Sequence, residues 1–396
     1  MDKIDEVLTR RVEKIYPSKE TLEKVLKSGK KIRIYLGFDP SNPKLHLGHT
    51  LVLKKIKEFQ NLGHEIILLI GDFTGKIGDP TDKLSTRKKL TKEKVLKNAK
   101  TYKEQAGKIL NFSGKNPVKI KFNSEWLDKL KFSDIAGLAY YFTVQQFIER
   151  DMYQKRLKEG KPISLAEFLY PLMQAYDGVA MEVDMEVGGN DQTFNMLAGR
   201  SLMKSKLGKE KFVLTVPLLV GTDGQKMGKS LGNYISLTEG ANYMYGKVMS
   251  ISDNLIIEYF ELCTDVPLKT IKEYKKELKK NPMTLKKKLA FEITKTYYGE
   301  KEVKAAEKEF KNVFQQKKAP TKTKTIECEK KEYKLIDILV KNYLVSSKGD
   351  AKRIIKQGGI DLDGKPITDI QFSFKPKEGN IIKIGKTKFI KISLKK

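Results

Sequence analysis

Residues 66–70, Ile-Ile-Leu-Leu-Ile, form an unbroken apolar run between His64 and Gly71. A strand without polar alternation is buried on both faces, a situation found mostly in parallel sheets sandwiched between helices. Residues 32–36, 118–122, 183–187 and 212–216 read as further strands, with helical segments between them. Strands alternating with helices predict the α/β class, with ligands bound beyond the carboxyl ends of the strands. The polar, glycine-bearing loops after Leu36 and Ile70 fall in that position. The first 30 residues read as two amphipathic helices separated near Pro17-Ser18.

The segment Tyr35-Leu-Gly-Phe-Asp-Pro-Ser-Asn-Pro-Lys-Leu-His-Leu-Gly-His49 predicts a strand that breaks into a helix. Val52, Ile56 and Phe59 continue that helix at i, i+4, i+7. Two of the chain's 3 histidines, His46 and His49, lie in its first turn. A helix start carries unpaired N–H groups and the positive dipole end, so it attracts anions. Gly48 lets a ligand approach the backbone. Together these groups suit nucleotide phosphates.

Other segments carry matching chemistry. Gly221-Thr-Asp-Gly-Gln-Lys226-Met-Gly-Lys229-Ser230 sets two ammonium groups three residues apart on a glycine-bearing loop. Lysine serves there as a flexible point charge for polyphosphate. A phosphate-binding P-loop would need glycine where Asp223 stands, so that reading fails. Gly71-Asp-Phe-Thr-Gly-Lys-Ile-Gly-Asp79-Pro80 leaves a buried strand, and Asp79 can accept from an ammonium group. Tyr170, Gln174 and Asp177 share one face of an otherwise apolar helix, and buried polar groups need partners. Gly188-Gly-Asn-Asp191-Gln192 adds a carboxylate able to hold ribose hydroxyls. His64 reads as a helix-end residue without a chemical role. No cluster has metal-ligand spacing, so any metal is expected to arrive with the nucleotide.

Charge is unevenly spread. The net is +29, yet residues 1–265 hold 43 Lys+Arg against 33 Asp+Glu. The last third therefore carries about two thirds of the excess, which suits a polyanionic partner. From about 250 to 315 the pattern is helical and lysine-rich, and residues 316–331 read as a linker. Beyond it, Leu335, Ile338 and Leu339 mark one amphipathic helix, and Ile354 and Ile355 a second, ended by Gly358-Gly359. Lys352, Arg353 and Lys356 surround that second helix. Asp363-Gly364 signals a hairpin. Two cysteines exclude a disulfide framework and fit a reducing compartment. No apolar run reaches membrane-span length, and the chain is expected to be cytoplasmic.

In order along the chain, these segments closely resemble the bacterial-type tyrosyl-tRNA synthetases, which are class I aminoacyl-tRNA synthetases. Residues 333–396 resemble their C-terminal S-four-type RNA-binding module. The resemblance implies a Rossmann-like parallel-sheet catalytic domain (residues 1–245), an α-helical anticodon-binding domain (246–320), a linker (321–332) and a small α+β RNA-binding domain (333–396). It further implies that Tyr35 and Asp177 bond the substrate phenol, while Asp79, Tyr170 and Gln174 hold its ammonium group. Asp39, Gly48, Gly189, Asp191, Gln192 and Lys229 would line the adenylate. His46, His49, Lys226 and Lys229 would act on the phosphates of ATP, which brings Mg2+ with it. Lys352, Arg353 and Lys356 would contact RNA. Implied partners are L-tyrosine, ATP, tRNA(Tyr) and a second copy of the chain. Ser41, Lys44, Asn190 and Gly228 depart from the usual pattern without removing a required group. A tryptophanyl-tRNA synthetase, an RNA-binding or splicing protein that kept the fold, and a small-molecule nucleotidyltransferase are the alternatives.

Overall fold

The computed structural model describes residues 2–79, 91–315, 324–345, 347–385 and 388–395. It forms two compact units, residues 1–299 and 300–396. In the first unit the strands are β1 (Lys14–Tyr16), β2 (Arg33–Phe38), β3 (Glu65–Ile70), β4 (Lys119–Phe122), β5 (Met185–Gly189) and β6 (Phe212–Val216). They form one sheet in the order β1-β6-β5-β2-β3-β4, parallel except at the β1 edge. All of β3 after Glu65 is buried, as its uninterrupted apolar run requires.

The winding reverses at β2. It lies between β3 and β5, and the chain runs outward to β4 on one side and to β6 on the other. Such a reversal opens a crevice beyond the strand ends. The helix Leu47–Asn61 starts at its edge and buries Val52, Ile56 and Phe59. Leu165–Met181 and Thr193–Leu207 pack together, sharing Leu172, Ala175, Ala198 and Leu202 in one apolar cluster.

Two expectations fail in instructive ways. The first 30 residues are not two helices only. Short helices, Lys3–Val7 and Lys19–Lys27, flank β1, which pairs antiparallel with β6. Three edge residues give too little pattern to reveal a strand whose partner lies so far along the chain. Within the linker assigned to 321–332, Lys324–Cys328 is β7, paired parallel with β13 (Lys388–Leu394). Residues 316–323 of that linker region lie outside the described residues. The helical stretch beginning near 246 is divided between the two units at 299/300. Its helix Ile256–Cys263 is joined to the N-terminal segment by arginines. Arg10 donates to Thr264 O at 2.6 Å and Arg11 to Leu262 O at 2.7 Å, satisfying carbonyls that the helix end leaves open.

In the second unit β8 (Tyr333–Lys334), β9 (Ile360–Leu362), β10 (Lys365–Pro366), β11 (Ser373–Phe374) and β12 (Ile381–Ile384) join β7 and β13. One sheet runs β10-β9-β12-β13-β7 and a second pairs β11 with β8. Asp363 and Gly364 have φ of 53° and 81°, the conformation a two-residue hairpin demands. Leu335, Ile338, Leu339, Ala351 and Ile355 close the core over the sheet.

Candidate active site

The crevice is floored by polar groups delivered from β2, β5 and the helix Leu165–Met181. Tyr35 on β2 is 1% exposed, and its hydroxyl faces the Glu186 carboxylate. Burial, and then the nearby Glu186 and Asp177 carboxylates, push its phenol well above the ordinary range. Asp177 is also buried. It accepts from Trp126 Nε1 at 2.8 Å and Asn123 Nδ2 at 3.3 Å. Burial raises its carboxyl well above the usual value, and those two bonds oppose the rise. A carboxylate has about four acceptor sites, so Asp177 retains capacity for a further donor.

Each of the expected ammonium ligands is held by a different partner. Tyr170 Oη donates to Asp39 Oδ2 at 2.8 Å, and Thr74 Oγ1 donates to Asp39 Oδ1 at 2.6 Å. Asp39 thus links Tyr170 with Thr74. Gly71 makes room for it, since a Cβ there would overlap Asp39 Oδ1. Gln174 Nε2 donates to Glu186 Oε1 at 3.0 Å, and Gln192 Nε2 to Asp79 Oδ2 at 2.6 Å.

The two motif histidines meet at the N-terminus of Leu47–Asn61, ring centroids 3.8 Å apart. The backbone N–H of His46 donates to His49 Nδ1 at 3.2 Å. A neutral His49 then carries its proton on Nε2, the nitrogen left for a ligand. Burial, reinforced by Lys229 and Lys226, lowers His49 to about 3, while its bond to the His46 backbone works the other way. Burial first, then His49, depress His46 still further. Burial thus favours the neutral form of both rings, in which His49 offers its Nε2–H as a donor.

The lysine-bearing loop lies against this helix start. Leu47 N donates to Ile235 O at 3.0 Å, and Met227 Sδ would lie 3.9 Å from a Cβ at Gly48. Lys229 Nζ donates to Lys44 O. Lys226 Nζ pairs with Asp191 Oδ2 at 2.7 Å, bringing the loop to the end of β5. Buried Asn233 holds the loop's shape: it donates to Asp223 Oδ1 at 2.7 Å and accepts from Gly228 N at 2.8 Å. A Cβ at Gly189 would lie 2.6 Å from Asp191 Oδ1 and displace that carboxylate.

The sequence reading missed Thr74, Asn123, Trp126, Glu186, Lys211 and Asn233. Only Glu186 carried a signal, as an acid inside an otherwise apolar strand. Among the described residues no group of three or more His, Cys, Asp or Glu side chains is arranged to hold a metal ion. In the second unit the helix Lys348–Lys356 buries Ala351 and Ile355 and exposes Lys352, Arg353 and Lys356. Arg353 pairs there with Asp350 at 2.6 Å.

The parallel sheet, its crevice at the winding reversal and the paired histidine and lysine motifs define a nucleotide-dependent synthetase. The family model described as tRNA synthetases class I (W and Y) matches residues 27–315, and the chain belongs to that family. Its finer affinities lie in the bacterial tyrosyl branch. Residues 310–392 match the tyrosine–tRNA ligase SYY-like C-terminal domain. Tyrosine–tRNA ligase of Thermotoga maritima is 46% identical, covering 98% of this chain and 96% of that protein. The Carboxydothermus hydrogenoformans enzyme of the same name is 47% identical, covering 99% and 98%. Among solved structures, the Archaeoglobus fulgidus tyrosyl-tRNA synthetase complexed with L-tyrosine shares the fold at TM-score 0.60 and 23% identity, covering 77% of this chain and 98% of that one. A C-terminally truncated Coccidioides posadasii mitochondrial tyrosyl-tRNA synthetase matches at TM-score 0.63 and 23% identity, covering 78% and 91%.

Proposed function

We propose that this chain activates L-tyrosine with ATP, forming tyrosyl-adenylate and pyrophosphate, and then transfers tyrosine to the 3′-terminal adenosine of tRNA(Tyr). The observation that carries the choice of amino acid is the buried Tyr35 hydroxyl set beside the buried Asp177 carboxyl, a pair that a phenol can satisfy and a plain ring cannot. An unsatisfied buried polar group costs about 1–3 kcal/mol. A phenol is both donor and acceptor: its oxygen accepts from Tyr35 while its O–H donates to Asp177. Phenylalanine leaves both groups unpaired, and an indole offers a donor only. Tyrosyl-tRNA synthetase is itself a standard example of such rejection.

In the first step the tyrosine carboxylate attacks the α-phosphorus in line, and pyrophosphate leaves. Nothing in that step requires a protein base, so catalysis is positioning plus stabilisation of charge on phosphate oxygens. His49 Nε2–H and the adjacent helix N-terminus are fixed donors. Lys226 and Lys229 exchange their present partners, Asp191 and the Lys44 carbonyl, for phosphate. Asp191, so released, receives the ribose hydroxyls. Mg2+ would be held by the ATP phosphates and neutralise their charge, since the described residues arrange no group of three or more His, Cys, Asp or Glu for a metal. Asp79, Tyr170 and Gln174 receive the substrate ammonium.

The basic second unit, with Lys352, Arg353 and Lys356, contacts the tRNA, and a cytoplasmic setting follows from this role. We further propose a homodimer through the catalytic unit. Phe132, Tyr140, Val144 and Leu165, spread over the helices Phe132–Ala139, Val144–Ile148 and Leu165–Met181, are 87%, 91%, 63% and 77% exposed, apolar surface that a second copy would cover. Tyrosine-dependent ATP–pyrophosphate exchange tests the activation step. Exchange with tyrosine and none with tryptophan is expected, and the reverse preference would overturn the reading.

A further inference from the structure

Glu186 lies at the centre of the sheet, opposite Tyr35 on β2 and Val213 on β6. It is 3% exposed, and its Oε2 is ion-paired with Lys211 Nζ, itself fully buried. Lys211 directly precedes β6, and two helices make space for it. A Cβ at Gly199 would overlap its Nζ, and one at Gly178 would touch its stem at 3.7 Å. A buried ion pair is a poor source of stability, because desolvation offsets most of the attraction. Its presence beside the crevice therefore calls for another explanation.

The remaining oxygen of Glu186 supplies one. Oε1 accepts from Gln174 Nε2 at 3.0 Å. Paired with an ammonium group, the carboxylate has only acceptors to offer, so the Gln174 amide must turn its N–H2 toward Glu186. Its carbonyl oxygen is then the end left for the crevice. Were position 186 a neutral amide, it could donate as well as accept, and Gln174 could present either end. An N–H2 facing a substrate ammonium is repulsive, whereas a C=O accepts from it.

We propose that Glu186 and Lys211 are positioning residues for amino-acid recognition, locking Gln174 with its carbonyl toward the substrate ammonium. The proposal rests on the reading of Gln174 as an ammonium ligand. It concerns substrate binding and leaves the phosphate chemistry untouched.

The test compares competitive inhibition constants, in ATP–pyrophosphate exchange, for tyramine, which keeps the ammonium, and 3-(4-hydroxyphenyl)propionate, which lacks it. The Glu186→Gln variant leaves Lys211 unpaired, so a double variant, Glu186→Gln with Lys211→Gln, provides a charge-free core if the single variant fails to fold. The expected result is a rise of tenfold or more in KM for tyrosine and in the inhibition constant of tyramine. Glu186 also faces Tyr35 at the phenol end, so the deaminated analogue reports that shared effect; tyramine should weaken at least fivefold more than it does, with kcat and KM for ATP nearly unchanged. Equal weakening of both analogues would show a merely structural pair and overturn the proposal, as would no weakening of either. Gln174→Ala is the control for the underlying reading. If it selectively weakens tyramine while the Glu186 variants do not, the lock alone is refuted. If it has no effect on tyramine, the ammonium role of Gln174 falls with it.

Discussion

Acidification should destabilise the first unit through its histidines by an amount the structure allows to be worked out. An unfolded imidazole titrates near 6.5. In the fold, burial and the Lys229 and Lys226 ammonium groups lower His49 to about 3 and depress His46 further. Above pH 7 both states are neutral and nothing is gained or lost. As the pH falls through 6.5 the unfolded chain binds protons that the native state refuses, so stability declines. At pH 5.0 the loss is about 2 kcal/mol per imidazole, from the 1.5 units separating 6.5 from 5.0 at about 1.4 kcal/mol each. Any folded value below about 4 gives nearly the same figure. The chain holds only 3 histidines and 1 tryptophan, Trp126, which sits in the first unit and reports its unfolding. Urea denaturation followed by Trp126 fluorescence at pH 7.5 and 5.0 would compare the native chain with His49→Asn, whose amide can still accept from His46 N–H. The native chain should lose about 2 kcal/mol more than the variant over that interval. Two of the three imidazole Cε1–H resonances should also stay flat between pH 8 and 5. Equal losses, or titration of the His46 and His49 signals near 6.5, would refute the reasoning.

Lys229→Ala should slow tyrosyl-adenylate formation 100-fold or more, about 3 kcal/mol of transition-state stabilisation, with little change in tyrosine affinity. Equal activation rates in a pre-steady-state comparison would remove Lys229 from catalysis. Asp177→Ala should weaken tyrosine binding by about 2 kcal/mol, and unchanged affinity by calorimetry would take Asp177 out of the phenol site. Removal of residues 316–396 should preserve ATP–pyrophosphate exchange and cripple tRNA charging at physiological salt. Undiminished charging would show the basic module to be dispensable. The cut falls before β7 because Lys324–Cys328 belongs to the module's own sheet.

What the sequence disclosed, and what it hid, follows from the range of the interactions. The strand at 66–70 and the helix bearing Val52, Ile56 and Phe59 were legible because burial imposes a period on neighbouring residues. The Asp363-Gly364 turn was legible because its conformation needs particular residues. β1 and β7 were not, since each is defined by a partner strand far along the chain. In the crevice, motif residues with a fixed local spacing, His46 with His49 and Tyr170 with Gln174 and Asp177, could be picked out. Asn123, Trp126 and Thr74 could not, because an isolated polar residue beside a turn looks the same whether it faces water or a buried carboxylate. Asp39 shows the limit of carry-over by resemblance: its position was found, but its hydrogen bonds to Tyr170 and Thr74 appear only in three dimensions.

The space around Lys211 has a consequence for anyone wishing to redesign this protein to accept modified amino acids. Because Lys211 Nζ occupies the volume where a methyl group on residue 199 would go, positions 199 and 211 are epistatic, although they belong to different elements. A library that varies pocket residues one at a time would test alanine at 199 only against the full-length Lys211, whose ammonium must shift to admit it, and never with a shorter residue at 211. Randomising 178, 199 and 211 together with 186 opens combinations that stepwise selection cannot reach.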